Sequence, residues 1–152
     1  MQSRIPNPAL SVTGALDALQ RLSQAAHEAA SAAGLPRATL ELVNLRASQV
    51  NGCAVCLDMH ARGAKKAGES DERLATLAAW REAPYFTDAE RAALALTEAG
   101  TRLADRADPV PDAVFDDAAR HYDEQALAAL IVSIAAINAW NRPNVISGQT
   151  AG

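Results

Sequence analysis

Aromatic side chains are scarce in this sequence: Phe, Trp and Tyr together make up 4% of 152 residues. Alanine, by contrast, fills about a quarter of the positions. That mixture suits close-packed helices and is poor material for strands. No window alternates polar and apolar residues with period two, and no hairpin turn signal stands out. Basic blocks are missing as well. Against 18 Asp and Glu stand 14 Lys and Arg, for a net charge of −4, so a nucleic-acid footprint is absent. The longest apolar run, residues 126–137, is too short to span a bilayer and is broken by Ser133. The 8 glycines are scattered, and without a glycine-rich phosphate loop a nucleotide cofactor has no support. The first residues carry no apolar signal-peptide core, so the expected compartment is the cytoplasm. Repeats and low-complexity stretches are also lacking.

What is present reads as an ordinary globular chain, 49% hydrophobic and 21% charged. One domain over residues 1–152 is expected, long enough to bury a core without disulfides. Pro6 and Pro8 make residues 1–12 an extended lead-in. Thr13 is placed to cap a helix over about 15–33, with Leu16, Leu19, Ala26 and Ala30 as its stripe and Gly34 as its end. Pro36 opens a second helix that ends near Asn51 and Gly52. Its stripe of Leu40, Val43, Ala47 and Val50 is backed by Leu42 and Leu45, so it is expected to be buried on both faces. A third helix runs from about Cys53 to Gly68. Ser70 caps a fourth, with Leu74, Leu77 and Ala78 inward and Pro84 as its stop. Thr87 and Glu90 form a capping box for a fifth helix reaching about Asp105, with a stripe of Ala93, Leu96, Gly100 and Leu103. Pro109 and Pro111 open a short sixth ending near His121. Asp123 caps a seventh, from Gln125 to about Trp140, apolar nearly all round and therefore central. The expected fold class is all-α with about seven helices.

The 2 cysteines are the informative feature, because both lie in one CxxC, Cys53-Ala-Val-Cys56. Cys53, Cys56 and His60 sit at i, i+3 and i+7 of one helix and share a face. Cα atoms three apart on a helix are about 5 Å apart, inside the disulfide window. A thiolate near a helix N-terminus, a histidine one turn away and a second thiol to close a disulfide permit peroxide reduction or disulfide exchange. Two other readings exist: zinc ligation by Cys53, Cys56 and His60 with Glu41, or thiols that merely fill the core. His27 and His121 have no such company. Glu41 is either a partly buried carboxylate that orients His60, or an exposed one favoured by the helix dipole. Which thiol attacks is open on the residues alone. The dipole favours Cys53 and the neighbouring histidine favours Cys56.

The pattern Glu41-x11-Cys53-x2-Cys56-x3-His60 resembles the core signature of the alkylhydroperoxidase D family, within the carboxymuconolactone decarboxylase-like superfamily. The flanking Leu42-Val-Asn-Leu-Arg-Ala-Ser-Gln-Val-Asn-Gly and Asp58-Met-His60-Ala-Arg62 agree, as do Trp80, Phe86-Thr-Asp-Ala-Glu90 and Ile137-Asn-Ala-Trp-Asn-Arg142. The likeness covers about 36–145. It implies the all-α bundle of that superfamily, assembled as a homo-oligomer, a hexamer or a trimer, with the Cys56 pocket near a subunit interface. It also implies a thiol-dependent peroxidase or disulfide reductase acting on organic hydroperoxides. Cys56 matches the peroxidatic cysteine, Cys53 its disulfide partner, and Glu41 and His60 the proton relay. No metal or organic cofactor is implied. Electrons would come from a thiol or a dihydrolipoyl protein, and some members serve a peroxiredoxin. Residue 55 is Val where well-studied members carry a histidine. Lactone decarboxylation fits poorly, since that branch lacks the CxxC. A disulfide reductase or electron carrier, and a helical oligomerisation module with inert thiols, are the competing functions.

Overall fold

The computed structural model of the protein describes residues 2–105 and 107–152. Met1, the first residue of the expected lead-in, lies outside them. The described residues form an all-α fold: α1 (Pro8–Ser11), α2 (Ala15–Ala32), α3 (Arg37–Asn51), α4 (Ala54–Lys66), α5 (Asp71–Thr76), α6 (Asp88–Thr101), α7 (Asp112–His121) and α8 (Glu124–Ser147). Single 3-10 turns follow α5 at Leu77–Ala79 and α6 at Leu103–Asp105.

Helices α3 and α8 form the centre. α3 packs on α4, α6 and α8, and α8 packs on α2, α3 and α6. As the double stripe predicts, α3 is buried on both sides. Leu40 and Val43 join Leu96, Leu130 and Ile134 in one apolar cluster. Leu42 and Leu45 join Leu77, Trp80, Phe86 and Leu94 in another. Burying such side chains contributes roughly 1.5–3 kcal/mol each, and it also fixes how α3 is rotated. Glu41, Asn44 and Ser48 are buried with it.

Several local expectations give way to the tertiary structure. Residues 8–11 are helical, not extended, because the Asn7 side chain accepts the Ala9 N–H and Pro8 occupies the first turn. That added turn moves the cap of α2 from Thr13 to Gly14, which sits at φ 80°. Ala78 points outward. The 3-10 turn keeps Leu77 and Trp80, three apart, on one line toward the core and rotates Ala78 away. α6 stops at Thr101, so Leu103 leaves the expected stripe and is 53% exposed. α8 runs past Trp140 to Ser147 with Pro143 inside it. Proline removes one helical N–H. The last turn is nonetheless held from outside, by Arg4 N–H to Ser147 O at 2.8 Å and the Arg4 guanidinium to Ile146 O at 3.1 Å. α8 is central, but not covered all round: Ile131, Val132, Val145 and Ile146 remain exposed.

Candidate active site

Two turns deliver the sulfurs. Gly52 ends α3 at φ 67°, and the Cys53 N–H returns to Ser48 O at 2.9 Å. Cys53 thereby becomes the N-cap of α4, and Cys56 lies in its first turn. Both are free thiols, 1% and 2% exposed. They pack among Ala47 from α3, Val55, and Ile137 and Trp140 from α8.

The two thiols ionise as a pair. Hydrogen bonding from the Cys56 thiol is the largest influence on Cys53 and, with the Cys56 backbone N–H, outweighs burial to bring Cys53 from 9.0 down to about 6. Cys56 is pushed upward, first by Cys53 and then by burial. The N-cap position explains the asymmetry, since first-turn N–H groups stabilise an anion there. In the reduced protein Cys53 is therefore the more acidic thiol. The neighbouring histidine, which on the residues alone favours Cys56, has a partner of its own.

That partner is Glu41. His60 Nδ1 lies 2.8 Å from Glu41 Oε2, and both side chains are largely buried, at 14% and 6% exposure. Of the two readings of Glu41, the buried carboxylate that orients His60 is the one observed. Arg37 Nε stands 3.8 Å from Glu41 Oε1. Gly63, in α4, makes room for the carboxylate: a methyl carbon placed there would lie 3.1 Å from Oε1. Among the described residues, no three His, Cys, Asp or Glu side chains converge as a metal site. His27 and His121 are both exposed, and His27 Nδ1 is turned to Ser23 O rather than to this pair.

Two cavities reach parts of the site. One, of about 250 Å³, is lined by His60, Asn44, Met59 and Leu40 together with Ile137 and Trp140, which also pack on the cysteines. It is mostly apolar, with the His60 imidazole and the Asn44 amide among its polar features. The other, of about 280 Å³, is lined by Cys53, Asn144, Val145 and residues 148–151.

Sequence reasoning missed the α8 contribution. Asn144 Nδ2 lies 3.6 Å from Cys56 Sγ. Asn141 donates to Ser48 Oγ at 3.1 Å and accepts from Asn51 at 2.8 Å. Three asparagines, 138, 141 and 144, recur at a spacing of three in the second half of α8, and all are buried. That pattern was the available signal, because polar amides recur on a buried face only where they have partners.

The comparisons with known proteins agree with this architecture. The model of the carboxymuconolactone decarboxylase family matches residues 15–99, which include Glu41, Cys53, Cys56 and His60. The uncharacterized protein YdfG of Bacillus subtilis (strain 168) is 41% identical over 115 residues, 76% of this chain and 77% of that protein. The uncharacterized protein YnjA of Escherichia coli (strain K12) is 38% identical over 104 residues, 68% of this chain and 55% of that one. A crystal structure of a protein of unknown function from Agrobacterium tumefaciens, ATU0492, proposed there as the antioxidant defence protein AhpD, superimposes with a TM-score of 0.87. It has 32% identity and covers 99% of both chains. With its all-helical core and its matched cysteine-bearing segment, the chain belongs to the carboxymuconolactone decarboxylase family, as an AhpD-like member.

Proposed function

We propose that the protein is a thiol-dependent oxidoreductase that reduces organic hydroperoxides through Cys53 and Cys56. The observation that carries this reading is the buried dithiol, at the start of α4, beside a His60–Glu41 pair locked at 2.8 Å. The Cys56 thiol gives its proton to His60 as its sulfur attacks the terminal peroxide oxygen. The O–O bond breaks, the alkoxide takes a proton from His60 and leaves as alcohol, and Cys56 becomes a sulfenic acid. The Cys53 thiolate then attacks that sulfur, hydroxide leaves with a proton as water, and a Cys53–Cys56 disulfide remains. Two electrons from an external dithiol, a small thiol or a dihydrolipoyl protein, restore it. Glu41 holds Nδ1 and keeps the imidazole oriented through the proton transfers. The apolar cavity beside His60 suits the organic body of such a peroxide. Ile137 and Trp140 line that cavity and also pack on the cysteines, which connects it to the sulfurs.

One observation favours a second reading. Cys53, not Cys56, is the acidic thiol, and a cavity opens beside it. This suits a protein-disulfide reductase in which Cys53 attacks a substrate disulfide and Cys56 resolves the mixed disulfide. Steady-state peroxide consumption with dithiothreitol, then with a lipoyl donor, separates the two. Wild type beside Cys53→Ser and Cys56→Ser completes the test. Single-turnover peroxide reduction that survives Cys53→Ser and is lost in Cys56→Ser supports the peroxidase. Absence of peroxide turnover in wild type, with rapid reduction of a disulfide substrate, refutes it.

We further propose that the protein works as a homo-oligomer, a trimer or hexamer. The exposed apolar residues Ile131 of α8, Leu103 and Phe115 line a groove of about 530 Å³, a surface that a second copy would cover.

A further inference from the structure

The amide of Asn144 has two ends, and its orientation is fixed from a distance. Asn7 Oδ1 accepts the backbone N–H of Ala9 at 3.0 Å. A backbone N–H can only donate, so the oxygen of Asn7 must be the atom facing it. The other end of Asn7, Nδ2, then donates to Asn144 Oδ1 at 3.2 Å. This leaves Asn144 Nδ2 toward Cys56 Sγ at 3.6 Å. Asn144 is 4% exposed, so both ends of its amide are held mainly by protein. The first turn of α1 thus sets, through two amides, which pole of Asn144 meets the sulfur.

We infer that Asn144 is a thiolate-stabilising donor of the redox pair, and that Asn7 is a positioning residue that acts on the pair only through it. The inference rests on the redox reading of the two thiols, but not on which substrate they reduce. An N–H aimed at sulfur favours the anion, and a carbonyl oxygen in its place disfavours it. Among the described residues, the other side chains packed on or hydrogen-bonded to the sulfurs are uncharged: Ala47 of α3, Val55 of α4, and Ile137, Trp140 and Asn141 of α8. The ionisable His60, paired with Glu41 of α3, lies one turn further along α4. Arg4, the cation of the N-terminal segment, is held on the Ile146 carbonyl. The hydrogen bond from Asn144 favours ionisation of both cysteines, as does that from Asn141.

The geometry makes Asn7→Asp an unusual variant. An aspartate keeps the cap on Ala9, so α1 is retained, but it has no N–H to offer Asn144. The Asn144 amide then turns over, giving its NH2 to the new carboxylate and its oxygen to Cys56. Asn7→Ser also keeps a cap and is too short to reach Asn144, leaving the amide free to rotate.

The test is the pH dependence of alkylation by iodoacetamide, with each cysteine followed by mass spectrometry. It reads the thiols directly and needs no peroxidase activity, so it stands if the peroxide reading fails. Asn144→Ala raises the first apparent pKa of the pair by about one to two units, the usual worth of a hydrogen bond to a charged group. Asn7→Asp raises it at least as far, and Asn7→Ser raises it less. In the dithiothreitol equilibrium the same variants shift toward disulfide, because the reduced form has lost stabilisation. The double variant Asn7→Asp/Asn144→Ala behaves as Asn144→Ala alone. An Asn7→Asp effect that persists undiminished in the Asn144→Ala background would show a direct charge effect and overturn the coupling. An unchanged pKa in Asn144→Ala overturns the proposal altogether.

Discussion

Replacing Gly63 with alanine tests whether the Glu41–His60 pair is held by steric room as well as by charge. In the interior of a helix such as α4, a glycine-to-alanine change ordinarily stabilises by about 0.5–1 kcal/mol. Here the new methyl carbon would lie 3.1 Å from Glu41 Oε1 and 3.2 Å from Cδ and Oε2. The carboxylate is the buried partner of His60 at 2.8 Å and cannot swing into solvent. It must tilt by a few tenths of an ångström, which lengthens and misaligns a charge-assisted bond worth roughly 1.5–3 kcal/mol. Losing about half of that bond and adding the tight contact leaves a net destabilisation of about 1 kcal/mol, ~2–4 °C in Tm for a chain of this size. Peroxide reduction falls about tenfold, the cost of a displaced proton relay. Thermal unfolding and steady-state kinetics of Gly63→Ala measure both. The Glu41→Ala background supplies the control. With the carboxylate gone, Gly63→Ala recovers its ordinary helical gain of about 0.5–1 kcal/mol. A rise in Tm with unchanged turnover in the otherwise wild-type chain refutes the reasoning.

Three further outcomes are expected. Burial pushes the Glu98 carboxyl up, but Arg81, Trp80 and Arg46 outweigh it and bring it from 4.5 down to about 2. Its contribution, about 3 kcal/mol, is complete above pH 4.5 and lost as pH falls toward 2, so Glu98→Gln flattens the acid limb of a urea-unfolding series. Mild oxidation yields an intramolecular Cys53–Cys56 disulfide, seen by mass spectrometry as the loss of two hydrogens and protection from iodoacetamide; two alkylated cysteines after oxidation exclude it. Light scattering gives a mass several times the 15.9 kDa of one chain, and Ile131→Glu on the exposed face of α8 lowers it; a one-chain mass at tens of micromolar rules out the oligomer.

The fold was legible wherever local signals and burial agree. Thr87 and Glu90 predict a capping box, and both halves of it form. Gly52 and Ser70 mark their helix ends as expected. The failures are places where contacts far along the chain override local chemistry. Pro143 is a stop signal by itself, yet its helix continues because Arg4, from the other end of the chain, holds the last turn. Asn7-Pro8 is a valid cap followed by a valid first turn, but two prolines close together read more naturally as a break.

The site divides along the same line. Cys53, Cys56 and His60 lie within eight residues, Cys53 as the N-cap of α4 and the other two inside it, so their place along one helix was legible. Glu41 sits on the helix before, and periodicity left its exposure undecided. Its burial follows from two apolar clusters gripping opposite sides of α3, with Leu40 and Val43 on one and Leu42 and Leu45 on the other. Once both grips form, the carboxylate has one place to go, and His60 is there. Asn144 is harder still to read. Its role depends on a partner 137 residues away, on the backbone N–H that orients that partner, and on a helix surviving its own proline. The acidity of the thiol pair is therefore set partly by residues that carry no redox chemistry, and substitutions in the first turn of α1 should be read in the titration of Cys53 and Cys56 before they are assigned to stability.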